Sequence, residues 1–158
     1  MLATLSRAAD TGAEVGDSRR DERARLRYRK TMVSYFLVFL GAGIGGSLRH
    51  GINLASVRIF GLEFPWATLI INVTGSVLMG LMAGYFAFKA TGVWTQHWRL
   101  FVTTGVLGGF TTFSTFSLDA ILLWERGSII AGAAYVVASV ALSFVGLFGG
   151  LALVKALT

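Results

Sequence analysis

The side chains best suited to chemistry are concentrated in one run, residues 105–117, which reads Gly-Val-Leu-Gly-Gly-Phe-Thr-Thr-Phe-Ser-Thr-Phe-Ser. Hydroxyl hydrogens and the positive edges of aromatic rings can both solvate an anion without carrying charge. Glycine and threonine also weaken a regular helix, and an interrupted helix exposes backbone groups that bind ions. The run therefore predicts an ion site at an interruption in a helix, with a merely kinked helix as the alternative.

Two other segments carry polar side chains four residues apart, a spacing that places each set on one helix face. The first set is Thr68, Asn72 and Ser76, and the second is Tyr135, Ser139 and Ser143. Asn72 is the most costly member, because a buried amide must find hydrogen-bond partners in a dry setting. Each stripe could line an ion pathway or join helices by hydrogen bonds, and both interpretations stay open for Asn72.

Ionisable side chains are scarce beyond the first 31 residues. Arg49, late in the first apolar segment, and Asp119, late in the third, lie closest to a possible ion path. An arginine there would raise the local anion concentration without trapping an ion. The chain has no cysteine and only two histidines, His50 and His97, so neither thiol chemistry nor a metal-ligand cluster is indicated. No enzymatic constellation is present in the apolar segments, and we expect no enzyme.

Four apolar segments must position these groups. Hydrophobic residues make up 54% of the chain and charged residues 14%, too little charge to cover a soluble domain. A membrane-spanning helix needs about 20 apolar residues, and the segments that qualify are residues 32–57, 64–88, 100–124 and 129–154. Because lipid does not tolerate unpaired backbone groups, they are predicted to be the helices of an all-α integral membrane protein.

Glycines recur at intervals of four within these predicted spans. The pairs are Gly41/Gly45, Gly80/Gly84, Gly105/Gly109 and Gly146/Gly150. The spacing lets helix backbones approach closely, so tight packing explains most of them. Four helices leave no room for a wide channel within one chain, and we therefore expect assembly with another copy.

The amino-terminal residues 1–31 differ in composition from the rest. They hold eight of the fourteen Lys/Arg and five of the eight Asp/Glu, and they lack the apolar core of a signal peptide. We expect a basic, flexible extension, followed by a four-helix transmembrane domain at 32–158. A basic helix over residues 21–30 lying on anionic lipid is the alternative.

Three motifs lie in order on the first three predicted spans. They are Gly-Gly-Ser-Leu-Arg (45–49), Ala-Thr-Leu-Ile-Ile-Asn-Val-Thr-Gly (67–75) and Gly-Gly-Phe-Thr-Thr-Phe-Ser-Thr-Phe-Ser (108–117). Together they resemble the CrcB/Fluc family of fluoride channels, and the resemblance covers residues 33–154. The third motif is the most specific of the three.

The resemblance implies an antiparallel, dual-topology homodimer of four-helix subunits, with a break in helix 3 and two pores lined by both subunits. It also implies a structural Na⁺ at the dimer centre, held by the backbone carbonyls of Gly108 and Thr111, and no organic cofactor. The pore residues implied by the motif match are Asn72, Phe113, Phe116, Thr112, Ser114, Thr115, Tyr135, Ser139, Ser143 and Thr68, with Arg49 near the vestibule.

Two features depart from the family pattern. Position 119 is aspartate where the pattern usually has glutamate. The extension also unbalances the charges: eleven Lys/Arg lie on the amino-terminal side of the membrane and three on the other, whereas without the extension the count is three against three. An excess of Lys/Arg marks the cytoplasmic side. Three explanations would reconcile this excess with an antiparallel dimer. The extension has little influence on membrane insertion, translation starts later (Met32 is available), or the chain pairs with an oppositely oriented paralogue.

The sequence thus predicts passive, fluoride-selective export through the inner membrane, with fluoride and lipid rather than nucleic acid as partners. A small proton-coupled multidrug exporter is the alternative. It would need a carboxylate within its first span, and residues 32–57 contain none. A purely structural subunit would use the same glycines and conduct nothing, and it would have no need of the run at 108–117.

Overall fold

A computed structural model describes the backbone of residues 2–88 and 93–158, and the side chains of residues 28–88 and 95–158. Within these ranges the chain is helical and contains no strand. The helices are α1 (Leu2–Phe60), α2 (Trp66–Phe88), α3 (Val93–Arg99), a π-helical segment (Leu100–Leu107), α4 (Gly108–Phe110), α5 (Phe113–Glu125) and α6 (Ile129–Ala156).

Four helical stretches are long and apolar enough to cross a membrane. They are Tyr28–Phe60, Trp66–Phe88, Thr95–Glu125 and Ile129–Ala156. This confirms the four predicted spans, each within a few residues of its expected ends. The third stretch combines most of α3 with the π-helical segment, α4 and α5.

The chain divides into two compact units, residues 1–36 and residues 37–158. The first unit is a stretch of α1 alone, and the expected flexible extension falls largely on residues whose side chains lie outside the described part of the chain. The second unit contains the remainder of α1 and every other helix, and it holds all the predicted site residues.

Close helix contacts in the second unit occur at the predicted glycine pairs. A Cβ atom on Gly45 would collide with the Val106 carbonyl oxygen, and one on Gly109 would lie 2.5 Å from the Ala42 carbonyl oxygen. These glycines therefore join α1 to the third span. A Cβ on Gly80 would likewise collide with the Leu147 carbonyl oxygen, so α2 packs against α6 backbone to backbone. The prediction that these pairs serve tight packing is confirmed.

Two adjacent glycines on α6 allow this packing to be tested. A Cβ on Gly150 would lie 2.5 Å from the Val77 carbonyl oxygen, whereas one on Gly149 meets nothing within 4 Å. We expect Gly150→Ala to lower the unfolding free energy by about 1–3 kcal/mol through overpacking. Gly149→Ala should cause no loss. Thermal unfolding of the purified chain in detergent measures both, and equal shifts in Tm would contradict the packing.

Candidate functional site

The helical backbone of the third span is interrupted between α4 and α5. Thr111 has φ −75° and ψ 158°, and Thr112 has φ −150° and ψ 118°. Both residues are therefore extended. In a continuous helix the Thr112 amide would bond the Gly108 carbonyl, and the Thr115 amide would bond the Thr111 carbonyl. Both amides find other acceptors here, so these two carbonyls lose their usual helical donors.

The Asn72 side chain supplies the missing partners. Its Oδ1 accepts a hydrogen bond from the Thr112 amide at 2.9 Å, and its Nδ2 donates to the Thr112 carbonyl at 3.0 Å. One side-chain amide thus satisfies both backbone groups of an extended residue, as a neighbouring strand would. Asn72 is therefore a clamp on the interruption, and one of its two Nδ2 hydrogens is still available.

Local hydroxyls hold the two ends of the interruption. Thr112 Oγ1 accepts from the Thr115 amide at 3.3 Å and so caps the start of α5, as threonine commonly does at this position. The same oxygen donates to Thr115 Oγ1 at 3.0 Å and lies 3.3 Å from Ser114 Oγ. On the other side, Thr111 Oγ1 donates to the Leu107 carbonyl at 3.0 Å.

A glycine on α2 allows this helix to reach the interruption. A Cβ atom on Gly75 would collide with Thr111 Cγ2, so any larger residue there would push α2 away from the clamp. Gly75 lies three residues after Asn72, on the same helix face. The sequence motif contained this glycine, but no spacing rule linked it to Thr111.

A cavity of about 400 Å³ opens beside the interruption, between α2, α5 and α6. Six of the predicted pore residues line it: Asn72, Thr112, Phe113, Phe116, Ser139 and Ser143. Gly75, Ser76, Met79, Thr111, Val140, Phe144 and Leu147 complete the lining, which carries no ionisable side chain. The donors available to an occupant are hydroxyls, one amide and aromatic edges.

One hydroxyl in this lining has no partner. Ser139 is only 4% exposed, and its Oγ makes no hydrogen bond. A buried hydroxyl left unsatisfied costs about 1–3 kcal/mol. The Ser139 hydroxyl is therefore a buried polar group beside the cavity whose hydrogen bonding the described residues do not satisfy.

The two predicted pore phenylalanines face different surroundings. The rings of Phe113 and Phe116 have centroids 5.6 Å apart at an angle of 44°. Phe116 also packs against Tyr135, with ring centroids 5.4 Å apart, whereas Phe113 is 79% exposed. The described chain thus forms only one side of the cavity wall at Phe113.

Thr68 and Tyr135 lie outside this cavity and converge on Asp119. Thr68 Oγ1 donates to Asp119 Oδ2 at 2.6 Å, and the fully buried Tyr135 hydroxyl donates to the same oxygen at 3.4 Å. The sequence marked Asp119 as ionisable but did not predict its partners. Asp119 and Thr68 also line a second cavity, of about 260 Å³, together with Glu63 and Arg126.

Arg49, which the resemblance assigns to a vestibule, lies at the interruption. Its Nη1 is 3.5 Å from the Thr111 carbonyl oxygen, so the contact is at the long limit of a hydrogen bond. Ser114 and Thr115 face the cap of α5 rather than the cavity, as their contacts with Thr112 show.

The Gly108 and Thr111 carbonyl oxygens are of the ligand type that a hard cation prefers. Such ions take oxygen ligands, and both carbonyls lack the amide donor that they would have in a continuous helix. Two carbonyls are fewer than such a cation binds, so these two alone do not form a complete coordination shell. Among the described residues there is no cluster of three His, Cys, Asp or Glu side chains that could hold a metal.

Comparison with known proteins places this geometry in context. A family model described as "CrcB-like protein, Camphor Resistance (CrcB)" matches residues 36–151. The chain is 57% identical over 126 residues to the fluoride-specific ion channel FluC 2 of Nitrobacter hamburgensis, covering 80% of this chain and 100% of that protein.

Two further relatives are similar to the same extent. The fluoride-specific ion channel FluC of Rhodopseudomonas palustris is 59% identical over 126 residues, covering 80% of this chain and all of its own. That of Methylobacterium nodulans is 55% identical over 124 residues, or 78% of this chain and 98% of its own. Matched over most of its length by the family model and by nearly complete relatives, the chain belongs to the CrcB family.

Proposed function

We propose that this chain is a passive, fluoride-selective channel that releases cytoplasmic fluoride down its electrochemical gradient. The observation that carries the proposal is the cavity beside Thr111 and Thr112, whose lining offers neutral donors and aromatic edges and no charge. Relatives named fluoride-specific ion channels support the choice of ion. The chain is a membrane transport protein and not an enzyme.

An anion in the cavity would be held by hydrogen bonds rather than by opposite charge. We propose that the buried Ser139 hydroxyl, which lies beside the cavity, turns towards the anion. Asn72 keeps one amide hydrogen after clamping Thr112. The ring edges of Phe113 and Phe116 carry partial positive charge. Because no cation lines the cavity, the anion is solvated without being trapped, as conduction requires. Ser143, which also lines the cavity, adds a further hydroxyl donor.

Selectivity follows from the size of the ion. Fluoride is small and strongly hydrated, so the wall must approach it closely to replace its water. We propose that short hydroxyl groups and phenylalanine edges form such a wall once a second copy closes the open side at Phe113, and that the closed wall excludes a larger halide. We propose that Thr68 and Tyr135, held on Asp119, continue this polar route beyond the cavity towards Arg126.

Release needs no coupled energy source. Hydrogen fluoride crosses the membrane as a neutral molecule and dissociates inside the cell, where the anion is retained. An anion channel in the inner membrane releases it, assisted by an inside-negative potential worth about 2.3 kcal/mol per 100 mV for each charge. This release protects the cell against fluoride toxicity.

Two substitutions test the assignment of the cavity. Phe113→Ile removes an aromatic edge, and Asn72→Asp removes the amide donors and adds negative charge. We expect both to reduce fluoride efflux from liposomes to the rate of protein-free liposomes, with potassium and valinomycin balancing charge. Phe36→Ile, at an exposed phenylalanine far along the chain from the cavity, is the matched control and should conduct.

Chloride efflux under the same conditions tests selectivity. The wild-type chain should release fluoride rapidly and retain chloride. Fluoride release by folded Phe113→Ile and Asn72→Asp at the wild-type rate would refute the cavity as the pathway. Equal release of both halides by the wild type would refute the proposed selectivity.

We further propose that two copies complete the pore as an antiparallel homodimer. Phe113 is 79% exposed at the edge of the cavity, which supports a second chain that closes the wall. A partner related by a twofold axis would double the Gly108 and Thr111 carbonyls. Such a set is suited to a structural Na⁺, whose charge would hold the two interrupted helices together.

Insertion experiments test the antiparallel arrangement. It requires copies in both orientations, and a chain starting at Met32 has the balanced charge that permits them. We expect carboxy-terminal alkaline phosphatase and fluorescent-protein fusions of this shorter chain to report both locations. A full chain that also reports both locations would mean that insertion is insensitive to its basic extension. A single orientation for the shorter chain would contradict the antiparallel homodimer.

A further inference from the structure

A concentrated positive charge immediately precedes the first apolar segment, residues 32–57. Residues 23–30 read Arg-Ala-Arg-Leu-Arg-Tyr-Arg-Lys, with five basic side chains and no acidic one. Arg29 and Lys30 are exposed, and among the contacts described for them neither forms an ion pair. This charge lies outside residues 36–151, the part of the chain that the family model matches, so the channel fold itself does not account for it.

Sequence distance places this charge against the membrane surface. Lys30 precedes the first apolar residue of the span, Met32, by two positions, a rise of about 3 Å along a helix. Tyr28 and Tyr35 are 68% and 69% exposed, and tyrosine favours the layer between hydrocarbon and water. The basic side chains nearest the span must therefore lie at the depth of the lipid headgroups.

We propose that residues 23–30 bind the anionic headgroups of the bilayer that the first span enters. Basic clusters beside a membrane span attract acidic lipids, and the attraction falls off within a Debye length. Asp21 and Glu22 precede these eight residues, and with five basic and two acidic side chains the net charge of residues 21–30 is still +3. Lipid is the favoured partner because this segment already lies at the membrane surface. A soluble polyanion such as nucleic acid would have to displace lipid headgroups from it.

A single fluorescent label can report this binding, because the natural chain contains no cysteine. Ala24→Cys in the full chain, labelled with an environment-sensitive dye, is placed in nanodiscs of phosphatidylcholine alone or with phosphatidylglycerol. We expect quenching by neutral acrylamide to slow at least about threefold with the anionic lipid, and high salt to abolish the difference. Equal quenching in both lipids would overturn the proposal.

Matched variants separate charge from other effects. Replacing Arg23, Arg25 and Arg27 by glutamine should remove the lipid dependence, whereas replacing them by lysine should preserve it. Retained lipid dependence in the glutamine variant would overturn the proposal. Protection by added single-stranded DNA in neutral nanodiscs, with no effect of phosphatidylglycerol, would overturn it in favour of a soluble polyanion. Fluoride efflux by each variant serves only to show that the channel domain is folded.

Discussion

The reciprocal pair between the Asn72 side chain and the Thr112 backbone is the interaction on which the site depends. An extended residue inside a membrane span exposes an amide and a carbonyl that lipid cannot satisfy, and Asn72 satisfies both. The interruption in turn frees the Gly108 and Thr111 carbonyls and turns α5 so that Phe113 and Phe116 border the cavity. Without the pair, each unsatisfied backbone group would cost about 1–3 kcal/mol.

The rest of the fold brings α2 close enough for this pair to form. Gly75 permits contact with Thr111, and Gly80 permits backbone contact with α6. Because α6 carries Ser139, the same packing that supports the clamp also places a buried hydroxyl beside the cavity. Helix packing and cavity chemistry are thus not independent: a larger side chain at either glycine would disturb the polar groups of the cavity as well as the helices. Lipid and the proposed second copy would cover the exposed faces.

The spans and their packing followed from the sequence, whereas the partners within the site did not. Apolar length predicted the four helices, and the i, i+4 spacing of the glycines predicted where backbones meet, because both depend on local periodicity. The amide of Asn72 was compatible with a pore or with helix contact, and only the position of Thr112 shows that it clamps backbone. Asp119 was visible as a charge, but its contacts with Thr68 and Tyr135 depend on three different helices. The roles of these residues in conduction remain predictions.

The most direct test is hydrogen exchange across residues 108–117 in the full chain, comparing wild type with Asn72→Leu and Ser76→Ala. Ser76 lines the same cavity one turn further along α2, but no hydrogen bond joins it to Thr112 among those described. We expect Asn72→Leu to accelerate exchange in this segment and to abolish fluoride efflux, while Ser76→Ala leaves exchange unchanged. Unaltered exchange in Asn72→Leu, with the protein folded, would contradict the claim that Asn72 holds the interruption.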